Sequence, residues 1–182
     1  SIGSWIHYGL GSLNENLPQF VVLGEQVGPC CGGSTCSGAA YLGPEHSGVE
    51  MSLDPSNPLP FAAPPAGVSS EDQRREFDFI KKLGQMAQVR YPDDPGLTAR
   101  IKSYELAFRM QTAVPDVFRF QEEPEHVRKL YGMDQEATRS FGERCLAARR
   151  MVERGVRFVQ VYHGGGQASE WDAHSELQKN HS

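Results

Sequence analysis

A chain of 182 residues, 38% hydrophobic and 23% charged, can form one ordinary folded unit or a large piece of a bigger one. Its 23 acidic residues outnumber 18 basic ones, leaving a formal net charge of −5, which is the wrong sign for a protein that coats nucleic-acid phosphates. The longest apolar runs, such as Phe20 to Leu23, are far too short for a transmembrane helix, and no basic stretch followed by an apolar one marks a signal peptide. The chain opens abruptly at Ser1-Ile2-Gly3-Ser4-Trp5 and stops inside a helical pattern, Glu176 to Asn180. An internal fragment of a longer protein is the expectation.

Residues 1–16 are rich in Gly, Asn and Ser around the aromatic pair Trp5 and Tyr8, which fits a short helix or tight turn. Trp5 and Tyr8, three apart, read as packing residues and His7 lies between them. Gln19–Leu23 is a short β-branched run bounded by Pro18 and Gly24, the pattern of a buried strand. Residues 24–68 are dense in proline and glycine and show no periodicity, so a long irregular segment is predicted there. It holds three of the four cysteines, Cys30, Cys31 and Cys36. Their spacing is poor for zinc, which wants paired ligands two to four residues apart. A disulfide from Cys30 or Cys31 to Cys36 would need an oxidising compartment. Unpaired thiols are the simplest reading. His46 in this segment, like His126 and His181, reads as solvated.

Ser69 followed by Asp72 is a helix start of the capping-box kind, and the acidic first turn suits the helix dipole. Phe77, Ile80, Gly84, Ala87 and Tyr91 then recur at helical spacing until Pro92. A second helix is predicted from about Pro95 to Thr112, with apolar residues on two faces. Glu125–Tyr131 reads as a short helix closed by Gly132. Glu136–Arg154 is the third long helix, with Phe141, Cys145, Ala148 and Val152 as its apolar stripe and Gly155 as its stop. Val156–Tyr162 then reads as a strand. A helix, a glycine and a β-branched strand form the joint of a layered α/β protein.

Chemistry concentrates after that strand, in His163-Gly-Gly-Gly-Gln-Ala-Ser-Glu-Trp-Asp-Ala-His174. Open α/β sheets bind ligands at the C-terminal ends of their strands. His163 stands at such an end, and Gly164, Gly165 and Gly166 let the backbone bend and approach a ligand. The triplet lacks the Gly-Lys-Ser/Thr ending of a P-loop. Asp172 and His174 are a carboxylate–imidazole pair suited to zinc or manganese, and Asp172 would also suit calcium. On spacing alone, Asp172 could equally cap a following helix, with His174 an exposed first-turn residue.

Three blocks carry a resemblance. They are Ser1-Ile-Gly-Ser-Trp-Ile-His-Tyr-Gly-Leu-Gly-Ser12 continuing through Asn14–Leu23, then Tyr104–Asp116, then Cys145–Gly166 with Trp171-Asp-Ala-His-Ser-Glu-Leu177. Together they resemble a family of uncharacterised sulfatase-like proteins in the alkaline phosphatase superfamily, itself catalogued as a domain of unknown function. The resemblance covers nearly all of the chain outside residues 24–68. It implies an α/β/α sandwich with a mostly parallel sheet, the whole chain being one incomplete domain. It implies two divalent metals that clamp a phosphate or sulfate ester while a Ser or Thr attacks. Asp172 and His174 match the family's Trp-Asp-x-His block and become the metal ligands. His163 and the triple glycine become lining residues of the same site.

The nucleophile and the remaining ligands are expected outside this chain, so the isolated segment is expected to be inactive. Export or a periplasmic location of the parent protein is likewise implied by the resemblance. The expected partners are a small sulfated or phosphorylated ester and a divalent metal (zinc, manganese or calcium), with no organic cofactor and no nucleic acid. The residues assign no oligomeric state. The alternative is a non-catalytic exported binding or scaffold protein that kept the fold, with residues 24–68 as its partner surface.

Overall fold

The computed structural model describes residues 1–24, 33–54, 67–92 and 94–163. Three strands form a parallel sheet: β1 (Phe20–Leu23), β2 (Val49–Met51) and β3 (Phe158–Val161), in the order β2-β1-β3. Val21 is opposite Val49 on one side and Val159 on the other, so β1 is central. Its four residues are all buried, as expected of a central parallel strand covered on both faces.

The period of two divides β1 between two layers. Phe20 points toward α1 (Ile2–Leu10), where Gly3 lets the helix lie directly on the rings of Phe20 and Phe158. A Cβ at Gly3 would come within 2.7 Å of both rings. Val21 and Leu23 face the other way, into the main core with Met51, Met110, Val114, Val117, Phe118, Leu146 and Met151. That core is roofed by the end of α3 (Pro95–Ala113), the short 3-10 turns Pro115–Phe118 and Phe120–Glu122, and α5 (Glu136–Glu153). The protein is therefore α/β, with five α-helices and a small parallel sheet among the described residues.

The Ser69–Asp72 start and the Gly155 stop are as expected. Ser69 accepts from the Asp72 amide at 3.1 Å and donates to the Asp72 carboxylate at 2.7 Å, opening α2 (Ser70–Arg90). Asp94 accepts from the amides of Gly96 and Leu97 to open α3 behind Pro95. Gly155 takes a φ of 95° just past α5, a conformation that favours glycine. The short helix α4 (Glu125–Leu130) ends one residue before the expected span, and Gly132 follows at a φ of 66°.

Three expectations are corrected. Residues 24–68 are not wholly irregular: Val49–Met51 pairs with β1, and 3-10 turns occur at Gly33–Cys36, Ala40–Leu42 and Pro44–His46. The buried face of α5 is Gly142, Leu146, Ala147, Arg150 and Met151, while Phe141 and Val152 of the expected stripe are exposed. Cys145 is half-buried rather than in the core, and burial raises its thiol pKa. Arg150 lies on that buried face of α5. It is 5% exposed, and its guanidinium donates to the carbonyls of Arg119 and Asp116, both at 2.8 Å. Those carbonyls belong to the 3-10 segment that closes the core, so one buried fork satisfies two backbone acceptors at once.

Candidate functional site

Parallel pairing puts the C-terminal ends of all three strands at one edge of the sheet. Beyond β1 and β3 the ladder runs one step further, with the Tyr162 amide donating to the Leu23 carbonyl at 2.8 Å. Gly24 then turns away at a φ of 98°, and a Cβ there would lie 2.7 Å from the Tyr162 carbonyl oxygen. Both the positive φ and the close approach require glycine. The same Tyr162 carbonyl accepts from Arg144 of α5 at 3.2 Å. The chain end of β3 is thus fixed from two sides immediately before His163.

His163 is half-buried, and its ring meets the Phe141 ring edge-on with centroids 4.4 Å apart. Phe141, exposed at the sheet-end turn of α5, has a role in supporting this histidine rather than in the core. Tyr162 is half-buried beside it. Its hydroxyl accepts from Gln160 Nε2 and hydrogen-bonds with the Cys36 side chain. Burial, and then the Cys36 neighbour, hold the Tyr162 phenol above its ordinary range against the opposing Gln160 hydrogen bond. The phenol therefore stays protonated at neutral pH. The Gly33–Cys36 turn and Gly38 close the edge above α1: the buried Ser4 hydroxyl donates to the Gly38 carbonyl at 3.3 Å.

Of the sequence-derived candidates, His163 is at the strand edge. Gly164, Gly165, Gly166, Asp172 and His174 lie outside the described residues, as do Cys30 and Cys31. Among the described residues no group of three or more His, Cys, Asp or Glu side chains is arranged to hold a metal ion. The residue types in the following sequence, the Asp172 carboxylate and the His174 imidazole, are of the kind zinc or manganese takes. Nothing in the sequence placed Tyr162, Phe141, Arg144 and Cys36 together at this strand edge. Tyr162 had one available signal, its place beside His163. Cys36 had none, because nothing in the proline-rich segment tied it to β3.

A second hollow, about 490 Å³, opens at the other end of the sheet, with Leu17, Pro18 and Val49 on its walls. His7 of α1 and His46 contribute to it, with ring centroids 4.7 Å apart. His46 is therefore packed rather than solvated, also touching the Tyr8 ring at 5.4 Å. Burial first, and His46 second, hold the His7 imidazole below its ordinary range; Glu45 opposes and Lys102 adds slightly to the lowering. Lys102 Nζ reaches Glu45 at 2.7 Å across the mouth. These groups lie away from the strand edge that carries His163.

The model of one protein family, described as a protein of unknown function (DUF1501), matches residues 1–182. This chain belongs to the DUF1501 family. No curated protein matches it, and no solved structure does. As a DUF1501 protein it carries a parallel α/β framework whose strand edge, with His163 and Tyr162, is followed in sequence by Gly164–Gly166 and the segment around Trp171. No helix among the described residues is long and apolar enough to cross a membrane.

Proposed function

We propose that the protein containing this chain is a metal-dependent hydrolase of phosphate or sulfate esters, sulfatase-like and built on an alkaline-phosphatase-type sandwich. The observation that carries the reading is the parallel order β2-β1-β3 with His163 at its C-terminal edge, directly ahead of Gly164–Gly166 and Trp171-Asp172-Ala173-His174. Strand ends of parallel sheets are where such folds assemble ligands from successive loops. Asp172 and His174 would hold a divalent ion (zinc, manganese or calcium), and His163 would line the ester side of the site. When bound, the metal polarises the ester oxygens and stabilises developing negative charge.

The chain's own groups have defined work in that reading. The His163 imidazole, propped by Phe141, can accept or donate a hydrogen bond at the strand edge. Tyr162, kept protonated, remains a donor at neutral pH. Gly24 and Arg144 hold the Tyr162 backbone and so set where His163 sits. The nucleophile belongs to sequence outside this chain, and an exported setting is proposed on the family resemblance.

The test is metal content of the purified full-length protein, wild type beside an Asp172→Ala/His174→Ala double variant. Near-stoichiometric zinc, manganese or calcium in the wild type, with a large share lost in the variant, supports the reading. Hydrolysis of aryl phosphates or sulfates should fall with it. Equal metal in both proteins, or none in either, removes Asp172 and His174 as ligands and sinks the proposal.

A further inference from the structure

Helix α2 rests chiefly on α3 through one face: Phe77 meets Phe108, Gln88 bonds Thr98, Lys81 pairs with Glu105, and Gly84 lies directly against Ile101. Its opposite face is apolar and uncovered among the described residues. Phe79 is 61% exposed, Leu83 48% and Met86 70%, with Ile80 beside them. At 3.6 residues per turn, Glu76, Phe79, Ile80, Leu83, Met86, Ala87 and Arg90 occupy one arc of about 120°. The two charges cap the two ends of an apolar centre, and Leu83 lies at its middle.

That order reads the same when the helix is turned end for end. With a twofold axis through Leu83, an antiparallel second copy sets Leu83 on Leu83, Ile80 against Met86, and Phe79 against the small Ala87. It also sets Glu76 opposite the partner's Arg90, twice. No ion pair engages Glu76, Lys82 or Arg90 among the described residues, whereas Arg75 is already paired with Glu71 and Asp72. A parallel pairing would stack Glu76 on Glu76 and Arg90 on Arg90. We propose that the outer face of α2 is a homodimer surface, closed by an antiparallel copy of the same helix about Leu83. This is independent of the ester chemistry at the strand edge. Isologous contacts of this kind are the commonest way for identical chains to close. The contacting stretch from Glu76 to Arg90 is about 21 Å long, a small interface, so association no tighter than micromolar is expected.

Sedimentation velocity of the full-length protein, from about 1 to 100 µM, decides it. The wild type should show a monomer–dimer equilibrium. Leu83→Glu should weaken it at least tenfold while helical circular dichroism is unchanged. Glu76→Arg should weaken it several-fold, and Glu76→Arg/Arg90→Glu should restore it. The charge swap keeps the test decisive if Leu83→Glu impairs folding. A wild type that stays monomeric throughout the range overturns the proposal, since the face is then covered by another part of the protein or another partner. So does a dimer indifferent to all three variants.

Discussion

Replacing Arg150 by Met tests the most heavily constrained contact in the core. The side chain is buried, and its two terminal nitrogens each donate at 2.8 Å to a backbone carbonyl, one on Asp116 and one on Arg119. Hydrogen bonds from a charged donor contribute roughly 1.5–3 kcal/mol each, and an acceptor left buried and unpaired costs roughly 1–3 kcal/mol. Glu123 lies 3.5 Å from the same guanidinium and is itself largely buried, so it would keep only Arg149 at 2.7 Å. Glu122 at 3.8 Å is mostly exposed and contributes little. Met retains much of the stem's packing, so the cavity penalty is small. The expected loss is about 3–5 kcal/mol, a large part of the stability of an ordinary domain. Urea unfolding of wild type and Arg150→Met, followed by circular dichroism, measures it. Arg150→Lys should lose less, about 1–3 kcal/mol, because one ammonium can reach one carbonyl but not bridge both. A Met variant within 1 kcal/mol of wild type would mean that water satisfies those carbonyls, and the argument for a closing fork would fail.

Other outcomes follow from single contacts. Gly142→Ala in α5 would drive its Cβ into the Tyr131 carbonyl, and a net loss of about 1–2 kcal/mol is expected despite the better helix propensity of alanine; a more stable variant in the same urea titration would show that the α4–α5 approach is not tight. The lowered His7 pKa means that the unfolded chain binds a proton before the folded one does. The contribution is intact above about pH 6.5 and declines as pH falls through the depressed folded value. His7→Gln should flatten the stability–pH profile in that window, read by thermal melts at several pH values. An unchanged slope would assign the acid sensitivity elsewhere.

Legibility varied with the kind of signal. Caps were plain in the sequence: the Ser69–Asp72 pair and the Gly155 stop are local chemistry, and local chemistry survives folding. Strands β1 and β3 were plain because three or more β-branched and aromatic residues stand between clear breakers. Strand β2 was hidden, being only three residues long with a central glutamate and set in a proline-rich run. It is a strand because β1 offers it an edge, a long-range fact no window of sequence contains. The buried α5 stripe lies one position away from the expected one, with Leu146 and Met151 in the core in place of Cys145 and Val152. Close packing there selects Gly142 and Ala147 for approach and Arg150 for its donors, while Phe141 is exposed and buttresses His163. At the site, the strand-end position of His163 was readable. Its neighbours Tyr162 and Cys36 were not, because their contact joins segments far apart in the chain.

The central place of β1 also sets an order of events during folding. Phe20 and Phe158 are ladder neighbours, yet all of α2, α3, α4 and α5 is strung between them. On a ribosome, β1 emerges well before β3 and can recruit β2 at short range, but its other edge stays open until β3 has been made. Closing so long a loop is entropically slow and raises contact order. During that wait, Phe20–Leu23 is an apolar strand with one unpaired side. Gly3, by letting α1 lie flat on Phe20, covers one face of that strand from a segment just upstream of it, so the strand has a local shield against edge-to-edge association.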